Sequence, residues 1–102
     1  MNYTEKLWKL EDERRAIEQR IHIRAALHRA GWIPGKTADP IGVIDVMDAH
    51  TGKERKLTQE DMNDVNAHGT HEDALRYIEL EDKAWALIGG KDQKGIHESV
   101  PE

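Results

Sequence analysis

YTEKLWKLEDERRAIEQRIHIRAALHRA, residues 3–30, followed by Gly31-Trp-Ile-Pro34, decides the fold. No glycine or proline interrupts the stretch. Tyr3, Leu7, Leu10, Arg14, Ile17, Ile21, Arg24 and His28 recur at alternating steps of four and three, the heptad spacing of one helix face. Thr4 is a suitable N-cap. At the other end Gly31 can take the left-handed conformation that closes a helix, Trp32 can fold back over Leu27, and Pro34 cannot extend the helix. One helix of ~40 Å follows, at a rise of 1.5 Å per residue.

The C-terminal half of this helix is apolar on a second side too, through Ala16, Ile23, Leu27 and Ala30. A helix apolar on two faces is covered from both. One face is expected to pack on the chain's own hairpin and second helix. The other, with Ile23 and Leu27, is expected to meet another protein, the expected interaction surface being Ile23, Leu27, Arg20, Arg24, His28 and Trp32 and a homodimer the expected arrangement.

Outward from this helix, IPGKTADP (33–40) holds two prolines and a glycine without periodicity and reads as a loop. In IGVIDVMDAHTGKERKL (41–57), Val43, Asp45 and Met47 alternate with Ile44, Val46 and Asp48, and Asp48 and Gly52 supply the amide acceptor and the positive φ of a turn. This predicts a β-hairpin whose Ile44 and Val46 face must be covered, because a lone hairpin is marginal in water. Thr58 opens a short helix ending at Gly69. Thr70-x-x-Asp73 has a capping pattern and opens a second long helix, with Ala74, Leu75, Ile78, Trp85 and Ile88 on one face and Tyr77, Ala84 and Leu87 beside it. Gly89 and Gly90 end it. The expected architecture is α+β, helix-dominant, in the order α-β-β-α-α, with residues 1–90 as a single small domain and 91–102 as a polar, disordered tail.

Composition limits function. Leu, Ile and Val number 20 of 102 residues and Phe is absent, so the core must be thin and gains from a neighbour. The absence of cysteine removes disulfides and thiolate metal sites, and no apolar run approaches the ~20 residues of a membrane span. The chain starts without a secretory signal pattern, so a cytoplasmic location is expected. Net charge is −5, but residues 1–36 carry eight Lys/Arg against five Asp/Glu, whereas residues 37–102 carry seven against fifteen.

Several patterns could carry chemistry. His68-Gly-Thr-His71 with Glu72 and Asp73, and His50 in the turn, hold zinc-ligand types, but Gly69 separates the histidines onto two helices and fixes no third ligand. Glu79-Leu-Glu-Asp82 resembles the Glu-x-x-Asp motif of magnesium-dependent, all-helical nucleotide pyrophosphatases. The upstream Glu-x-x-Glu is missing, Asp61-x-x-Asp64 standing in its place, and a hairpin occupies the position of a bundle helix. Glu79, Glu81 and Asp82 therefore read as an acidic surface available to the arginines. Ser99 is the sole serine and lies in the tail, and Gly89-Gly90 follows a helix whose C-terminal dipole repels phosphate. No cofactor, metal or catalytic residue is expected.

What remains is a small non-enzymatic protein-interaction module acting by surface complementarity, of the inhibitor, immunity or adaptor type that phages and mobile elements encode. The alternative is a nucleic-acid or nucleotide-ligand binder using the arginines of the first helix, between Arg14 and Lys36.

Overall fold

The structure, a computed structural model, describes residues 3–87 and arranges them as α1 (Tyr3–Arg29), β1 (Asp45–Met47), β2 (Glu54–Lys56), α2 (Gln59–Ala67) and α3 (Thr70–Leu87). This is the helix-dominant α-β-β-α-α order read from the sequence. The helix end expected at Gly89-Gly90 and the tail 91–102 lie outside the described residues.

The end of α1 follows its sequence closely. Gly31, at φ 77°, donates its N–H to the His28 carbonyl at 3.0 Å, and Trp32 donates to the Leu27 carbonyl at 3.0 Å. This bond pair is a Schellman cap, and Trp32 packs back against the core as expected. Thr4, by contrast, lies inside the helix, which already includes Tyr3.

The hairpin pairs Asp45 with Lys56, Val46 with Arg55 and Met47 with Glu54. In its turn the Asp48 carboxylate accepts the His50 and Thr51 amides at 2.8 and 3.0 Å, while Gly52, at φ 74°, donates to the Asp48 carbonyl at 2.8 Å. Val46 is buried and Ile44 packs partly against the core; Val43 and Met47 face outward. Two strands of three residues need a support. That support is α1: Gln19 donates Nε2 to the Met47 carbonyl and accepts the Ala49 amide on Oε1, both at 2.9 Å, and Arg15 Nη1 donates to the Ala49 carbonyl at 2.9 Å.

Thr58 and Asp61 form a reciprocal capping box on α2, with bonds of 3.1 and 2.9 Å. The cap expected at Thr70 moves one residue earlier. Glu72 accepts the Gly69 amide at 3.1 Å, and Asp73, freed from capping, turns its carboxylate toward α1.

The core cluster is Ile23, Ala26, Leu27, Val46, Leu57, Met62 and Val65, with Ile17 and Leu80 also buried where α1 and α3 run side by side. This overturns one expectation. Ile23 and Leu27 are 0% and 3% exposed, so they are no partner surface. The hairpin, Leu57 and α2 cover that side of α1, and α3 covers its other side, so a single chain supplies both coverings. A second correction concerns α3. Leu75, Ile78 and Trp85, read as its inward face, are 56%, 60% and 48% exposed, and the side against α1 is Asp73 and Leu80, with Tyr77, Ala84 and Leu87 half-buried.

Candidate interaction surface

Arg20 and Arg24 lie one turn apart on α1, in the wedge between α2 and α3. Arg20, 6% exposed, grips Asp73 through Nε and Nη2, both at 2.9 Å, and reaches Asp64 of α2 through Nη1 at 3.2 Å. Arg24 Nη1 donates to the same Asp73 carboxylate at 2.8 Å, and its Nη2 donates to the His68 carbonyl at the end of α2 at 2.7 Å. Burial pulls the Asp73 carboxyl upward, but hydrogen bonds from Arg20 and then Arg24 outweigh it and leave the group below its ordinary range. The same bonds raise the Arg20 guanidinium. Both arginines, expected on a partner surface, are thus consumed as internal ties between three helices. Asp73, which answers both of them, and Gln19, which clamps the hairpin, were invisible as such in the sequence, since each is defined by a distant partner.

Other charges are engaged in the same way. Arg55 donates to Asp48 at 2.8 Å and to both Asp61 oxygens at 2.7 and 3.0 Å, linking the hairpin turn to the first turn of α2. The Arg55 bond and two backbone amides hold the Asp48 carboxyl down at about 2. Arg76 donates to Glu13 at 2.6 and 2.9 Å and pairs with Glu79 at 2.9 Å. His28 is exposed, so its place in the heptad seam needs no acid to answer it, and Trp32 is half-buried, its Nε1 donating to Asp39 at 3.1 Å. Of the three surface acids, Glu79 also meets Lys83 at 3.5 Å, Glu81 accepts Arg14 at 3.3 Å, and Asp82 is exposed.

Among the described residues, no group of three or more His, Asp or Glu could hold a metal ion. His68 Nδ1 lies 3.1 Å from the Asp64 carbonyl, directed back into α2, and His71 is exposed on α3. Among the described residues, a cleft along α1 is lined by Thr4, Glu5, Trp8 and Lys9. No described helix is long and apolar enough to cross a membrane.

The surface that stands out lies along the antiparallel α1–α3 pair. Tyr77 Oη donates to Glu18 at 3.0 Å and Arg14 reaches Glu81, its guanidinium 5.8 Å from the Tyr77 ring centre, which marks one flank of the pair; the Arg76–Glu13 pair marks the opposite flank. Helix residues three, four and seven apart share a side. Ile21 and Ala25 therefore lie on the Glu18 flank of α1, while Ala74, Ile78 and Trp85 lie on the Tyr77–Glu81 flank of α3, and all five are exposed. Arg14 Nε, buried behind this row, has no hydrogen-bond partner. The row gathers apolar side chains from both long helices on one side of the molecule. Comparison with known families, curated proteins and solved structures finds no match, so the functional reading rests on this geometry.

Proposed function

We propose that this chain is a small, non-enzymatic protein-interaction module that works by surface complementarity through the Ile21–Ile78–Trp85 flank of α1 and α3. The carrying observation is that Ile21, Ile78 and Trp85, exposed at 50%, 60% and 48%, come from two helices onto one side of the molecule. An inhibitor, immunity or adaptor role, in which a small domain blocks or bridges a larger protein, suits this arrangement. The fold by itself does not select among them.

A nucleic-acid or nucleotide ligand would have to use the arginines of α1. Arg14, Arg20 and Arg24 are already paired with carboxylates, and freeing them would unpick the contacts between helices. The two readings separate in one experiment. Tagged protein and its Ile78→Glu/Trp85→Glu variant are compared for captured protein and for retention on heparin. Loss of the captured protein from the variant supports the interaction reading. Salt-sensitive heparin retention equal in both forms, with no protein captured by either, would transfer the function to the arginines.

A further inference from the structure

We infer that the outward side of α3 takes a basic amphipathic helix of another protein, seated along Leu75, Ile78 and Trp85 with a lysine or arginine against Asp82; this rests on reading the flank that holds Ile78 and Trp85 as an interaction surface. The first reason is spacing. His71, Leu75, Ile78, Asp82 and Trp85 follow one another at steps of four and three, the seam that one helix offers to another, and all five are exposed, Leu75 at 56%. The seam runs ~21 Å at 1.5 Å per residue. α1 packs on the other side of α3, against Asp73 and Leu80, so the chain's long helix pair leaves this seam uncovered.

The second reason is charge, and Asp82 decides which helix fits. It stands inside the seam, between Ile78 and Trp85, with no hydrogen bond or ion pair to any other described residue. The acids beside it are engaged within the chain: Glu81 accepts Arg14 at 3.3 Å, and Glu79 meets Arg76 at 2.9 Å and Lys83 at 3.5 Å. Arg76 and Lys83 are the only Lys or Arg of α3, and Arg76 is also held by Glu13 of α1. The seam thus has a carboxylate among its apolar residues and no cation of its own. Covering that carboxylate without an answering charge costs several kcal/mol, which penalises a wholly apolar occupant and an acidic one alike. A helix with Lys or Arg at the facing position answers Asp82 and keeps the apolar contacts. A second copy presenting its own α3 brings Asp82 again and no cation, so two such seams do not match.

Two synthetic peptides of about three heptads test this. Both carry Leu along the seam; one has Lys at the central seam position and on the flanks, and the other has Glu in the same places. Binding of each labelled peptide to the full chain is followed by fluorescence anisotropy at roughly 0.15 M salt, with far-UV circular dichroism to check the fold of each variant. The basic peptide should bind and the acidic one should not. Asp82→Lys should weaken the basic peptide roughly tenfold or more and admit the acidic one. Ile78→Ala/Trp85→Ala should also weaken the basic peptide at least about tenfold, a loss that attraction between charges alone does not produce. These substitutions should leave the helix content intact, because the three side chains are exposed. No binding of the basic peptide, equal binding of both peptides, or binding unchanged in either variant overturns the basic helix. So does a wild-type dimer, measured by sedimentation equilibrium, that Ile78→Glu dissolves, since the seam then belongs to a second copy. A protein captured in the preceding experiment, lost from Ile78→Glu/Trp85→Glu but held equally by Asp82→Lys, keeps the interaction reading and overturns the basic helix. If none of these variants changes what is bound, both fall.

Discussion

Asp73 is the residue on which the most depends. Its carboxylate is nearly fully buried and takes a bidentate grip from Arg20 and a further bond from Arg24, so it joins α3 to α1 at the point where α2 also arrives. Removing one member of a buried ion pair leaves the other desolvated and unanswered, which costs about 3 to 5 kcal/mol. Arg20 keeps Asp64 as a second acceptor, so Asp73→Ala should lie at the low end, near ~3 kcal/mol, measured by urea unfolding. Replacing Arg20 and Asp73 together by Met and Leu should be close to neutral, because no charge is then stranded. A single substitution costing less than the double would show that the network contributes through something other than charge.

At the scale of elements, the stops and turns are local devices and their energetics are correspondingly local. A Cβ added at Gly31 would meet open space, yet the residue sits at φ 77°, so Gly31→Ala should cost only the left-handed backbone penalty, about 1 kcal/mol. A shift in thermal midpoint with unchanged core packing is the expected result. A much larger loss would mean that the Trp32 contact, and not the backbone, depends on the glycine. These devices were legible in the sequence because they act within five residues: the Gly31 cap, the Asp48–Gly52 turn and the Thr58–Asp61 box all close between near neighbours along the chain. The side that α3 turns inward was not legible. Its longest apolar row is the exposed one, and the helix is oriented by Asp73 meeting two arginines about fifty residues earlier in the chain.

For the molecule as a whole, charge pairing makes stability depend on acid. Asp73 and Asp61 are lowered by their arginine bonds despite burial, and Asp48 is held at about 2. In the unfolded chain these carboxyls titrate near ~3.9. As pH falls through that range the unfolded state binds protons first, so the stabilisation present above about pH 4 should be lost progressively toward about pH 2. The urea midpoint followed from pH 6 downward, a range chosen for about two pH units of baseline, should show this fall. Asp73→Asn should show a shallower one. A wild-type midpoint independent of pH in that window would mean the pairs persist in the unfolded chain.

The sequence alone determined the order of the elements and the Gly31, Asp48–Gly52 and Thr58–Asp61 caps and turns, because these are closed by neighbours along the chain, and it determined that α1 would be apolar on two sides. Only the tertiary structure decided what covers those sides. Hydrophobic periodicity states which residues share a face and carries no information about the molecule that meets it. Here the hairpin with α2 takes one side and α3 the other, which places Ile23 and Leu27 in the chain's own core and leaves Ile21, Ile78 and Trp85 at the surface.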